Sequence, residues 1–314
     1  MTAKSAIWLL VIASLPVALS TVVMAQSGGA AKETQPVAYP YAAEESRAVS
    51  NTLGRRDLDL RAALSAQPDS PELLYAYALV LRQEGKASES LAAYTRAASY
   101  RKPTASELRS VALDYVLLSD YEDAIHWLEM AEQLDPMNTD VLYSLGRCYY
   151  SKDRFSDARE LYEQILTIQP HNLKVEENLG LVYEATNEPE KAEEALRNAA
   201  SWADATGPDE WPFLDLGGFL LDHNRASEAV GSLRTAIHIK PGCAACHERL
   251  GRALLATHNA TGGIAELEEA TRLEPGNPRT HYELGRALRQ AGQVEKAREE
   301  LSISQKLYAS HSQE

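Results

Sequence analysis

The sequence has no His-Glu-x-x-His pair, no Gly-x-Ser-x-Gly turn and no phosphate-binding loop. Those are the spacings by which zinc proteases, serine hydrolases and P-loop enzymes place their reacting groups. The eight histidines fall in loops and at repeated positions, and paired acids such as Glu193-Glu194 and Glu268-Glu269 read as solvated helix faces. No catalytic residue and no metal ligand set is therefore assigned. Positive charge is also short: 31 Lys and Arg stand against 45 Asp and Glu, a net charge of −14. A chain this acidic lacks the overall field that draws phosphate backbones or anionic lipid, which argues against nucleic acid while leaving room for local basic patches. Cysteine is scarce, with three residues, and none lies near the N-terminus, so a lipidated N-terminus has no support.

Apolar material is plentiful, at 45% of residues against 24% charged, enough for a substantial core. The N-terminus stands apart. Lys4 precedes a nearly continuous apolar run from Ala6 to Val23, and Val23-Met24-Ala25 places small residues where a signal peptidase reads. The pattern predicts a secretory signal at 1–25, cut after Ala25, and hence a periplasmic or secreted protein. The alternative is an uncleaved membrane anchor over residues 6–25, a reading weakened by Pro16, Ser14, Ser20 and Thr21. Cleavage removes Lys4 and takes the net charge to −15. Residues 26–41 are rich in Gly, Ala and Pro and read as a flexible tether.

From Pro71 onward the chain repeats itself. Steps of 34 residues give blocks starting at 71, 105, 139 and 173, and a shift of three restores the register at 210, 244 and 278. The eighth residue of each block is small: Ala78, Ala112, Gly146, Gly180, Gly217, Gly251 and Gly285. The twentieth and twenty-seventh are small too, with Ile165 the one large exception. Bulky residues recur at the seventh place, as in Leu145 and Leu216, and at the twenty-fourth, as in Tyr94, Leu196 and Leu233. Small residues at places 8 and 20 let two helices approach closely while the large ones fill the grooves beside them. Each block thus predicts an antiparallel helix pair. Gly85, Asp153, Asn187, Asn224 and Gly292 fall in the turn inside a pair; Pro136, Pro170, Pro241 and Pro275 close the second helix.

With segments such as "DVLYSLGRCYYSKDRFSDARELYEQILTIQP" (140–170) and "RTHYELGRALRQAGQVEKAREELS" (279–302), the chain closely resembles the tetratricopeptide repeat family over residues 71–307. The resemblance implies an all-α, right-handed superhelical solenoid of antiparallel helix pairs. It also implies a concave groove, lined by the first helices, that holds an extended peptide or a partner's helix, and it implies no enzymatic activity. Upstream, residues 42–70 are read as a capping helix over 42–56 followed by the second helix of a degenerate unit, and residues 308–314 as a polar tail. Residues 199–212 depart from the pattern: they add three residues and carry Trp202 and Trp211. They predict either a longer second helix and loop patched by the tryptophans, or a hinge with an aromatic groove contact.

Places 2, 5, 9 and 12 of a first helix share one face. With the adjoining place 6, the last two blocks put Arg249, Arg252, Arg279, Arg286 and Arg289 there, accompanied by Tyr282, and block three puts Tyr143, Arg147 and Tyr150 there. Arginine grips carboxylates with paired hydrogen bonds and tyrosine adds stacking area, so this set is the candidate groove for an acidic peptide or a chain terminus. The Lys and Asn of the family's two-carboxylate clamp have no counterpart at places 5 and 9, so a chaperone tail is not supported as ligand.

One string competes with this reading. Cys243-Ala244-Ala245-Cys246-His247 has the spacing of c-type haem attachment. Three readings stay open: haem, a reactive dithiol, or a local disulfide in an oxidising compartment. Against haem, His281 occupies the place of His247 in the next block with no cysteines nearby, so histidine there belongs to the way these blocks are written. Cys148 reads as a buried lone thiol. Asn259-Ala260-Thr261 is a glycosylation sequon in a turn, relevant only to a eukaryotic source.

Overall fold

A computed structural model describes residues 43–206 and 209–311. The signal, the tether and the last three residues lie outside the described residues. Among the described residues there are fifteen helices and no strand. The chain divides into two compact units after Leu161.

In the first unit, α1 (Ala43–Ala66) packs on α2 (Pro71–Gln83), followed by α3 (Ala87–Tyr100), α4 (Ala105–Leu117), α5 (Tyr121–Leu134) and α6 (Thr139–Ser151). One continuous helix, α1, spans the segment read from sequence as two. Helix α7 (Phe155–Ile168) carries the chain into the second unit. There the elements are α8 (Leu173–Ala185), α9 (Pro189–Thr206), α10 (Trp211–Asp222), α11 (Ala226–Ile239), α12 (Ala244–Ala256), α13 (Ala260–Leu273), α14 (Pro278–Gln290) and α15 (Val294–His311). In the second unit each first helix packs on its own second helix, and α8 packs on α10, α10 on α12 and α12 on α14, so these four form one layer.

The small-residue register explains the close pairing. A Cβ added at Gly180 would lie 2.9 Å from Leu196 Cγ, and one at Gly217 2.6 Å from Leu233 Cγ; one at Gly251 or Gly285 would lie 2.7 Å from Leu267 Cγ or Leu301 Cγ. Place 8 of the first helix therefore seats the leucine at place 24 of the second. The places that carry Ala97, Ala124, Ala131, Ala192, Ala229 and Ala270 are fully buried, as close packing of two backbones requires.

All seven turns inside the pairs are built alike. Gly85, Ser119, Asp153, Asn187, Asn224, His258 and Gly292, each at place 15, have φ between 58° and 79°. The next residue's N–H then donates to the carbonyl five residues back at 2.8–2.9 Å, as in Asp120 to Tyr115 and Asn259 to Leu254. These are the bonds of the Schellman motif, which satisfies the last helical carbonyls. Five of the seven are Gly, Asn or Asp, the residues that tolerate left-handed backbone. Ser119 and His258 are not. Each is expected to gain about 0.5–1 kcal/mol on replacement by glycine, because relief of the left-handed strain exceeds the entropy that glycine adds to the unfolded chain. Urea midpoints of Ser119→Gly and His258→Gly above that of the parent would show it; unchanged or lower midpoints would refute it.

The irregular segment lengthens one second helix. Helix α9 runs for 18 residues where α11 and α13 run for 14. Trp202 near its end stacks at a tilt on His171, with ring centroids 4.7 Å apart, and Trp211 at the start of α10 packs against a core cluster around Leu214, Phe219 and Leu233.

Candidate functional site

Five of the six arginines of the candidate groove lie on the first-helix layer of the second unit, and most of these are already engaged. From α12, Arg249 reaches back over α10. Its Nη1 donates to the Leu214 carbonyl at 2.7 Å and stands 3.6 Å from Asp215 Oδ1. Gly218 makes the crossing possible, since a Cβ there would fall 2.6 Å from that nitrogen. Arg252 faces Asp222 at 3.9 Å, Arg279 faces Glu248 at 3.2 Å, and Arg286 donates to Glu283 at 3.4 Å. Each of these four cations therefore has a carboxylate of its own, and over α10 and α12 the patch is a neutralised ladder. Helix α14 is different. There Tyr282 is 45% exposed, the Arg286 guanidinium lies 5.7 Å from its ring centroid, and Arg289 is exposed with no acidic partner among the described residues. Tyr143, Arg147 and Tyr150 sit on α6 of the first unit; Arg147 is exposed, whereas Tyr150 packs edge-on to Phe155 at 5.4 Å.

The layer also holds a group of acids that the register did not single out. Glu177, at place 5 of α8, is 5% exposed, and its Oε1 is buried without a hydrogen-bond partner. Burial pushes its pKa up to about 8, the charges of Asp215 and Asp209 add to the rise, and Lys174 opposes it. Burial likewise raises Asp215 to about 6 against the pull of Arg249. The signal in the sequence was an acid at place 5 of one block followed by an acid at place 6 of the next.

In the first unit, an apolar cavity of about 170 Å³ is lined by Tyr75, Tyr94, Tyr115 and Trp127 among others. No charged side chain lines it, and it falls below the roughly 300 Å³ at which pockets hold drug-sized ligands. Asp114 is buried in the same unit within reach of Ser90, whose Oγ lies 2.6 Å from Asp114 Oδ2, and burial raises its pKa to about 6.

The haem-like string is held by its own repeat. Cys243 and Cys246 are joined in a disulfide with Cα atoms 5.3 Å apart. The Cys246 N–H donates to Cys243 Sγ at 3.1 Å, so Cys243 caps α12 from the place that Ser70, Thr104, Asn138, Asn172 and Asn277 hold for α2, α4, α6, α8 and α14. His247 is buried, with Nδ1 2.6 Å from Glu266 Oε2, and its Nε2–H donates to the Pro241 carbonyl at 3.0 Å. His281 makes the same two bonds, to Glu300 at 2.6 Å and to the Pro275 carbonyl at 3.0 Å. In both blocks the histidine ties a first helix to its partner helix and to the preceding loop. Both ring nitrogens and both sulfurs are thus committed, the residues as placed do not fit an axially ligated haem, and no redox step is derived from them. Cys148 is buried and its thiol is pushed up to about 11 by that burial, which makes it unreactive.

Models of the tetratricopeptide repeat match residues 59–106, 116–165, 177–206 and 248–311, together more than half of the chain. The chain belongs to the tetratricopeptide repeat family. Among curated relatives of this tetratricopeptide repeat protein, the cattle BBSome complex member BBS4 is 27% identical over 130 residues, which is 41% of this chain and 25% of that protein. Human tetratricopeptide repeat protein 7A is 27% identical over 36% of this chain and 13% of its own length. The chain thus spans a quarter or less of these relatives. Among solved structures, yeast Tom70 superposes with a TM-score of 0.64 at 15% identity, covering 85% of this chain and 57% of that one. A tetratricopeptide repeat protein of Parabacteroides merdae superposes at 0.60 with 17% identity, covering 83% and 96%. These likenesses show the fold: an all-helical stack of paired helices. Repeats of this kind bind protein partners and are typically without enzymatic activity.

Proposed function

We propose that this tetratricopeptide repeat protein is an exported, non-enzymatic scaffold whose first-helix layer in the second unit holds an extended segment of a partner protein. The observation that carries the reading is the exposed face of α14. It presents Tyr282, Arg286 and Arg289 together while the opposite face, with Leu284, Ala287 and Leu288, is buried. An exposed tyrosine beside Arg289, and beside Arg286 whose one bond to Glu283 is long at 3.4 Å, suits a carboxylate-bearing segment, which Arg289 holds by paired hydrogen bonds with support from Arg286 while the ring supplies contact area. Export is supported by the signal pattern and by the Cys243–Cys246 disulfide, a bond that persists outside the reducing cytoplasm.

The test is selection from a random decapeptide library by the full chain. Acidic residues are expected to be enriched at a position facing α14, and the pair Arg286→Glu with Arg289→Glu is expected to reduce that enrichment at least tenfold while helicity is kept. Retention of the acidic preference in the double variant would remove α14 from the site. Absence of any residue preference in the parent would remove peptide binding itself.

A further inference from the structure

On the same layer, three repeats before α14, the buried Oε1 of Glu177 has no hydrogen-bond partner. Around it the charges do not balance. Asp215, in the second turn of α10, is within electrostatic reach of Glu177 and Glu184 on α8 and of Asp209 just before α10, and Asp209 also acts on Glu177. Two cations answer them: Lys174 on α8, and Arg249, which crosses from α12 and is spent on Asp215 and the Leu214 carbonyl. The groups differ in exposure: Glu177 is 5% exposed, the Asp215 side chain 18%, and Glu184 and Lys174 are exposed.

Resting on the reading of this layer as a peptide groove, we infer that Glu177 and Asp215 form the floor and wall of a recess that receives the lysine or arginine side chain of the bound segment. Arg249 supplies the precedent within the fold, because it already lays a guanidinium from one repeat against the acid of the repeat before it. An incoming side chain does for Glu177 what Arg249 does for Asp215. A long apolar stem with a charged tip suits a carboxyl group this deeply buried, since the stem can pack on apolar surface while the tip carries the charge. A divalent ion fits less well, because it needs several oxygens at once and would meet the Arg249 guanidinium beside Asp215. The high pKa of Glu177 agrees with this assignment: the group is held largely protonated while empty, and a cation at Oε1 is what favours its charged form. With an acidic preference at α14, the partner segment would carry a basic residue at one end and acidic residues at the other.

The same decapeptide selection at pH 7.5, with the full chain, tests the recess separately from the groove. Lysine and arginine are expected to be enriched at least tenfold over glutamine at one library position. Glu177→Gln is expected to cut that enrichment below threefold while the acidic preference due to α14 persists. Glu184→Gln, at the exposed rim, serves as a second variant that leaves the packing untouched and is expected to lower the basic preference two- to threefold. Enrichment of acidic or apolar residues without lysine or arginine, or a basic preference unchanged in both variants, would overturn the recess and leave the groove standing. If the parent enriches nothing, both fall together.

Discussion

Gly217→Val is expected to destabilise the second unit by about 3 kcal/mol, whereas Gly231→Ala, in the partner helix of the same repeat, is expected to stabilise it by up to about 1 kcal/mol. The opposite signs follow from what each added carbon meets. At Gly217 a Cβ falls 2.6 Å from Leu233 Cγ and 2.7 Å from its Cδ2, and Leu233 is fully buried among Leu216, Leu220 and Ala236. It has no free volume to move into, and valine adds two methyl groups to the overlap. The helix-propensity gain of valine over glycine is a few tenths of a kcal/mol and does not offset the clash. At Gly231 nothing lies within 4 Å, so alanine brings only its better helix propensity. Stacked repeats unfold segment by segment, so the measurement is the urea midpoint of the full chain followed by far-UV circular dichroism and, in a Trp8→Phe/Trp127→Phe background that leaves Trp202 and Trp211, by tryptophan fluorescence. A second substitution, Leu233→Ala, is expected to recover part of the loss by opening space for the introduced valine side chain. If Gly217→Val and Gly231→Ala shift the midpoint in the same direction, the place 8 to place 24 contact is not what sets the helix spacing.

That contact was legible from the 34-residue register, since small residues at place 8 and large ones at place 24 recur whatever their neighbours. The turns were legible where chemistry advertises them, at Gly85, Asp153, Asn187, Asn224 and Gly292, and not at Ser119 and His258, whose left-handed backbone is imposed by the repeat. The twin bonds of His247 and His281 were foreshadowed by their shared place. The state of the groove was not. Arg249 and Asp215 are 34 residues apart and meet only because Gly218 lets a guanidinium cross α10, a path that register does not encode. Exposure at a given place also varies from block to block: place 5 carries Glu177 at 5% and Tyr282 at 45%. Sequence periodicity states which residues share a helix face, while burial on that face depends on what the next repeat lays across it.

Glu177→Gln is expected to raise stability, and by an amount that grows with pH. The carboxyl of Glu177 has its ordinary value of 4.5 in the unfolded chain and about 8 in the folded one. Between those values the folded state holds a proton that the unfolded state has released, so the stability that the neutral group permits is complete below about 4.5 and is lost as pH rises through 8. The slope approaches about 1.4 kcal/mol per pH unit inside that window, and the accumulated loss is on the order of a few kcal/mol by pH 8. Asp215 and Asp209 deepen it and Lys174 relieves it. Glutamine has the same shape and no charge to desolvate, so the variant should gain little at pH 5 and most at pH 8 to 9. Asp215 and Asp114 titrate in lower windows in both proteins, so the quantity to read is the difference between the two urea midpoints at each pH. A difference that stays constant from pH 5 to 9 would show that Glu177 does not titrate in this window. A widening difference, together with loss of the basic-residue preference, would identify Glu177 as a group that costs the fold stability and serves binding, the exchange expected of a site whose charge is completed by its ligand.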